Sequence, residues 1–81
     1  MDDRVAVISI IVEDNNAVNT LNELLHEYSD YIIGRLGLPY KKKSVNIICV
    51  AIDAPTDAIN ALTGALGRIS GINAKATFAS A

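Results

Sequence analysis

Hydrophobic and polar positions divide the chain into four strand-like segments separated by two helix-like segments and short polar connections. β-branched residues dominate residues 4–13 and 45–53, as is typical of strands. Residues 31–38 form a further predicted strand, and residues 72–79 alternate apolar with polar side chains. That alternation predicts a strand with one face buried and the other in water.

Two segments between these strands repeat apolar residues every three or four positions, which is the spacing of one helix face. The two stripes consist of Val18, Leu21, Leu25 and Tyr28, and of Ile59, Leu62, Leu66 and Ile69. Asp14 or Asn15 is expected to cap the first helix, because a short polar side chain accepts hydrogen bonds from free N–H groups of the first turn. Pro55 suits the first turn of the second helix. A polar hairpin connection is expected over residues 39–44.

The resulting order β-α-β-β-α-β, whose second half repeats the pattern of the first, predicts a ferredoxin-like, ACT-like fold. This is an α+β architecture in which a four-stranded antiparallel sheet carries two helices on one face. Both helices lie on the same face because right-handed crossovers place them there. With 81 residues, the chain is expected to form one domain over residues 1–81.

The first and third predicted strands are apolar on both sides of the sheet. In the first strand one side carries Ala6, Ile8, Ile10 and Val12, and the other carries Val5, Val7, Ser9 and Ile11. Two helices cover only one face, and monomeric proteins rarely expose a large contiguous apolar patch. We therefore expect a homo-oligomer, either a dimer or a tetramer, that forms through the open sheet face.

Charge and composition exclude several classes of protein. The net charge is −2, whereas free-standing nucleic-acid binders usually carry a basic patch, so no direct nucleic-acid binding is expected from this chain alone. No apolar run approaches the ~20 residues of a membrane span. The acidic start of the sequence is unlike a signal peptide, so we expect a cytoplasmic location and no membrane association.

Residues 25–44 hold the polar residues that most suggest chemistry, including the single His and all three Tyr. His26 lies off the apolar stripe, so it is either a solvated side chain or a ligand or metal contact at a subunit interface, with Glu27 beside it. Tyr31 and Tyr40 flank the second strand and are candidates to line an interface. Cys49 lies mid-strand and is expected to be a buried, small apolar residue.

Catalytic motifs are absent from the sequence. It contains no dinucleotide-binding glycine motif, P-loop, nucleophile elbow or zinc-protease helix. One His and one Cys without a recognised spacing do not define a nucleophilic pair. We therefore expect a protein that is not an enzyme and that needs no cofactor.

Three segments resemble one known family: RVAVISIIVED (residues 4–14), LNELLHEYSDYIIGRLGLPY (residues 21–40) and VAIDAPTDAINALTGALGRISGI (residues 50–72). They are similar to the iron-only hydrogenase system regulators, which are small, stand-alone ACT-like proteins. The resemblance implies a regulatory domain that senses or transmits a small-molecule or protein signal, with a hydrogenase-system protein as a candidate partner. The common ACT role further implies ligand binding near the first strand–helix loop, where Asp14 and Asn15 lie.

A more distant resemblance is to the C-terminal regulatory domain of the nickel-responsive repressor, whose His and Cys residues bind nickel across a tetramer interface. Among the corresponding positions, only His26 keeps a ligand type. The other positions hold Ser29, Gly37, Pro39 and Val45 or Ser44. Two alternatives to a signal-binding domain therefore stay open: a metal-binding sensor that uses His26 at a subunit interface, and a ligand-free protein-interaction module.

Overall fold

The computed structural model describes residues 3–80. Its strands are β1 (Asp3–Val12), β2 (Ile32–Tyr40), β3 (Val45–Pro55) and β4 (Ile72–Phe78), and its helices are α1 (Val18–Glu27) and α2 (Thr56–Gly67). Short 3-10 turns flank α1 on both sides and connect β2 to β3. The predicted β-α-β-β-α-β order is confirmed.

The four strands form one antiparallel sheet in the order β2-β3-β1-β4. The two strands that are apolar on both sides, β1 and β3, occupy its centre, and β2 and β4 form its edges. This is the split βαβ arrangement of the ferredoxin-like fold. The arrangement confirms the α+β class. It places the two most hydrophobic strands of the sequence at the centre of the sheet.

The core lies between the sheet and the two helices. It contains Ala6, Ile8, Ile10, Val12, Ala17, Leu21, Leu25, Ile48, Val50, Ile52, Ala54, Ile59, Leu62, Leu66 and Ile72. Alternate residues of β1 and β3 enter it, together with the apolar stripes of both helices. Full burial of a large aliphatic side chain contributes about 1.5–3 kcal/mol, so this layer is the main source of stability. Tyr28 and Ile69, the last residues of the two stripes, are only partly buried at its margin.

Two strands extend two residues beyond their predicted ends, β2 to Tyr40 and β3 to Pro55. The hairpin turn comprises Lys41–Lys43 and Ser44, because Pro39 and Tyr40 still pair with β3. An edge strand tolerates Pro39, since its missing N–H removes no bond that the sheet needs. Pro55 is the last residue of β3 rather than part of α2; its ψ of 144° is extended, and it pairs with Asp3.

The loop between β1 and α1 is held by the turn that precedes β4. The Glu13 backbone N–H donates to the Gly71 carbonyl at 2.7 Å. Gly71 has φ of +85°, and a Cβ at this position would lie 2.5 Å from the Asp14 Cβ. Asp14 in turn accepts a hydrogen bond from the Asn16 N–H at 2.9 Å. The loop between β1 and α1 is therefore held both by its contact with the turn at Gly71 and by its own internal hydrogen bond.

Candidate functional site

The face of the sheet opposite the helices is a contiguous apolar surface, termed the open face. Its exposed members are Val5, Val7 and Ile11 of β1 and Leu36, Leu38 and Tyr40 of β2. Between them lie the partly buried Val45, Ile47, Cys49 and Ala51 of β3. The register places Leu36 beside Cys49 and Leu38 beside Ile47. The predicted second apolar face is therefore confirmed.

Cys49 corrects one prediction, because it is not a core residue. It pairs with Ser9 of β1 and Leu36 of β2, and both partners point to the open face. Cys49 is partly exposed as a result. The residues on either side of it, Ile48 and Val50, are the ones that enter the core.

The open face is apolar toward β2 and polar toward β4. Opposite Ser9 and Ile11, β4 presents Lys75 and Asn73. At the other edge, Leu36 and Leu38 are 59% and 53% exposed, and a register shift between Ile32 and Gly34 makes Ile33 an extra residue, also exposed. The apolar area therefore extends to the β2 edge and ends before β4.

A groove lies between α1 and β2 on the helix side of the sheet, and it has two sections. The inner section, about 260 Å³, is lined by residues that include Val18, Asn22, Arg35 and Gly37. The outer section, about 230 Å³, lies at the end of the sheet beside the turn between β2 and β3, and it is lined by residues that include Asn15, Tyr40 and Lys41. Pro39 and Asn46 line both sections, so the two are direct neighbours.

Side-chain hydrogen bonds link the walls of this groove. Arg35 Nη2 donates to Asn22 Oδ1 at 3.1 Å, which ties the edge strand to α1. Asn46 Nδ2 donates to Asn15 Oδ1 at 3.1 Å, which ties β3 to the loop before α1. Arg35 and Gly37 pair with the buried Val50 and Ile48, so both lie on the helix side of β2.

The six residues predicted as site candidates do not form one site. Asn15 and Tyr40 both line the outer section of the groove. Asp14 lies in the adjacent loop, where its carboxylate bonds its own backbone turn. His26 and Glu27 are exposed at the far end of α1, which spans about 15 Å, and Tyr31 lies in the following turn.

Four residues that line the groove, Arg35, Gly37, Asn22 and Asn46, were not among the predicted candidates. Strand alternation groups Arg35 with Gly37 and Leu36 with Leu38, and the apolar pair would be expected to face the helices. Pairing with β3 instead turns Arg35 and Gly37 to the helix side, which the residues of β2 alone do not indicate.

Within residues 3–80, no three His, Cys, Asp or Glu side chains converge into a group that could hold a metal ion. None of the helices in this part of the chain combines the length and hydropathy needed to cross a bilayer. His26 thus lies on the exposed surface of α1, as predicted, without a cluster of co-ligands around it.

Comparison with known proteins places these features in a family. Residues 4–76 match the TM1266-like family model, described as a proposed iron-only hydrogenase system regulator. The chain is similar to the solved structure of the uncharacterized protein TM1266 from Thermotoga maritima, with 34% identity and a TM-score of 0.93. The match covers 98% of this chain and 100% of that one. No match was found among curated proteins.

A second solved structure supports the fold alone. The ACT domain of the GTP pyrophosphokinase from Chlorobium tepidum is 20% identical, with a TM-score of 0.78, and the match covers 94% of this chain and 100% of that domain. A sequence identity this low is evidence for the ACT-like architecture alone. The family match over residues 4–76 and the likeness to TM1266 go further: this chain belongs to the TM1266-like family of iron-only hydrogenase system regulators.

Proposed function

We propose that this protein is a non-enzymatic regulatory domain that works as a homo-oligomer and transmits a small-molecule or protein signal in the iron-only hydrogenase system. The family description supports the regulatory role, and the ACT-like fold supports a signal-binding domain. The observation that carries the proposal is the open face, whose apolar stripe crosses three adjacent strands.

The hydrophobic effect favours covering this face. Burial of apolar surface contributes about 25 cal/mol per Å², so about 400 Å² per subunit would contribute on the order of 10 kcal/mol before the cost of association. Specific interfaces typically bury about 800 Å² per partner. The large exposed side chains of the open face, such as Leu36 and Leu38, can supply the apolar part of such an interface.

A second copy is the favoured occupant, because the middle of the apolar stripe is uncharged. A two-fold contact places the same patch on both sides, so a charge near the symmetry axis would meet a like charge, and a charge elsewhere in the patch would be buried against apolar residues. The charged side chains of this face lie outside the stripe: Lys75 on β4, and Asp3 and Asp53 near one end of the sheet. Self-packing of β1, β3 and β2 therefore avoids like-charge contacts.

The competing function is a ligand-free interaction module whose open face docks on a hydrogenase-system protein. The exposed β2 edge, with Ile33 beside the apolar stripe, would serve such a contact. In that case the isolated chain should be a monomer, and it should carry no small molecule.

Native mass spectrometry of the full chain, purified without oxygen, separates these functions. A dimer or tetramer that retains a small molecule of defined mass supports the proposal in full. An oligomer with no retained mass favours a protein signal over a small molecule. A monomer under conditions that preserve a known dimer contradicts the oligomeric regulator.

A further inference from the structure

The groove between α1 and β2 is locally cationic in a chain whose net charge is −2. Its lining within the described residues 3–80 includes Arg35 and Lys41 together with the amides of Asn15, Asn22 and Asn46, but no Asp or Glu. Two acidic residues adjoin lining residues in sequence, Asp14 beside Asn15 and Glu23 beside Asn22, and neither of them lines the groove. Electrostatics in the groove therefore favour an anion.

Arg35 makes one hydrogen bond across the groove and keeps its other donors free within the described residues 3–80. Its Nη2 donates to Asn22 Oδ1 at 3.1 Å, which uses one of five guanidinium N–H groups. Since an amide oxygen is neutral, this contact orients the side chain without neutralising its charge. The remaining N–H groups of the guanidinium can pair with a carboxylate, the group that its planar fork matches best.

Gly37 leaves open the space beside this arginine. A Cβ built at Gly37 would meet no heavy atom within 4 Å, although the residue lies on the helix side of β2. The walls around that space include Val18, Pro39 and Ile48, which are apolar. At about 260 Å³, the section is smaller than the ~300–1,000 Å³ of drug-sized pockets, so its ligand must be small.

We propose that this groove binds a small carboxylate with a short hydrocarbon tail: Arg35 holds the carboxylate, and the apolar walls beside Gly37 hold the tail. A ligand that also carries an ammonium group is disfavoured, because Arg35 and Lys41 would repel it and no lining carboxylate would pair with it. The inference deepens the proposed function and rests on it only for the ligand's role as a signal.

The test is a titration of the full chain, labelled with nitrogen-15, with sodium butyrate at constant ionic strength, followed by backbone amide chemical shifts. Saturable shifts at Asn22, Arg35, Gly37 and Asn46 are expected. Butyramide, which has the same shape without the charge, should give no saturable shift. 2-Aminobutyrate should bind more weakly than butyrate.

Two variants address two features of the inner section, the guanidinium group of Arg35 and the open space at Gly37. Arg35→Gln should weaken butyrate binding at least about tenfold, because a charge-assisted pair is lost. Gly37→Val should abolish binding while keeping Arg35, since valine suits a strand and fills the open space. Arg68→Gln removes an exposed arginine that follows α2 and should leave butyrate binding unchanged.

Contrary results are equally specific. Equal affinity for butyrate and butyramide, or an unchanged affinity in Arg35→Gln, overturns the proposal. Tighter binding of 2-aminobutyrate overturns the ligand class. Light scattering on the same samples reports the oligomeric state, so an intact oligomer without saturable butyrate shifts rejects this site but leaves the proposed regulator standing.

Discussion

At Gly71 the backbone angle and the adjacent loop together leave no room for a side chain. Its φ of +85° disfavours any L-residue with a Cβ, and that Cβ would lie 2.5 Å from the Asp14 Cβ. We expect Gly71→Ala to lower the free energy of unfolding by about 1–3 kcal/mol, as measured by urea denaturation.

Gly64→Ala is the matched control for this prediction. Gly64 is exposed within α2, and a Cβ there would approach only Arg68 Nη1, at 3.7 Å. Alanine is the better helix former, so this variant should be more stable by about 0.5–1 kcal/mol. Equal effects of the two substitutions would show that the junction between Gly71 and the loop at Asp14 is not rigid.

His26 is exposed in the last turn of α1, and no metal-binding cluster surrounds it within residues 3–80. A lone imidazole completed by water holds nickel weakly, because high affinity needs a full set of nitrogen or sulfur donors. We expect His26→Ala to change the free energy of unfolding by no more than about 0.5 kcal/mol. We also expect calorimetric titration to detect no stoichiometric nickel.

The contrary outcome for His26 is specific. Binding of one nickel ion per subunit at sub-micromolar affinity, lost in His26→Ala, would mean that neighbouring subunits supply the missing ligands. The metal-sensor alternative would then replace the proposed function.

Local chemistry made some residues predictable and not others. Asp14 could be predicted as a cap because a capping bond is made within a few residues, and it does accept from Asn16, although it caps the 3-10 turn rather than α1 itself. The prediction for Cys49 was wrong because β3 is apolar on both faces, so hydrophobicity could not tell which face the helices cover. Arg35 and Gly37 acquire their significance only from the space beside α1.

At the scale of the strand, two adjacent isoleucines of β1 are expected to act in different processes, one in folding and the other in association. Ile10 is fully buried, whereas Ile11 is 37% exposed on the open face. Ile10→Ala should cost about 2–5 kcal/mol in the free energy of unfolding, because it leaves a cavity in the core. Ile11→Ala should leave the subunit folded and weaken its association.

Urea denaturation and sedimentation analysis of both variants test this prediction. If both substitutions reduce only stability, and association is unchanged, the outer side of β1 takes no part in the subunit contact. The matched residue type and the shared strand remove differences in side-chain volume and in strand propensity.

The order of the elements was predictable because apolar residues recur about every two positions in strands and about every 3.6 positions in helices. Strand ends were less predictable where an edge strand was involved. Pro39 was assigned to the turn, but in β2 it occupies an edge, where a missing N–H is tolerated, and pairing continues to Tyr40. The bulge at Ile33 likewise depends on pairing with β3, which the residues of β2 alone do not determine.

At the scale of the whole molecule, the charge distribution predicts no affinity for duplex DNA. The net charge is −2, and the main basic feature is the exposed turn of Lys41, Lys42 and Lys43. Nucleic-acid binding at physiological salt depends on neutralising several phosphates, which three clustered lysines do poorly. A mobility-shift assay with the isolated protein should therefore show no shift.

A salt-dependent, sequence-selective shift that disappears when all three lysines are replaced would contradict this expectation. It would indicate that this chain binds DNA directly.

The fold of the whole chain followed from the sequence because two similar halves and two apolar central strands admit few arrangements. The groove could not be predicted from the sequence, because it depends on how closely α1 packs against β2. The oligomer is a different case: the sequence shows that a face is left uncovered, but the size and symmetry of the assembly depend on the complementarity of two surfaces.

Light scattering at tens of micromolar, on the wild-type chain and on Leu38→Lys, tests the central claim that the open face is a subunit contact. Leu38 is 53% exposed on the apolar stripe, so a lysine there should fold normally but place like charges in the interface. Thr20→Lys, on the exposed side of α1, is the charge-matched control. We predict a dimer or tetramer for the wild type and Thr20→Lys, and a shift toward monomer for Leu38→Lys. A monomeric wild type, or an oligomer indifferent to Leu38→Lys, would contradict the account.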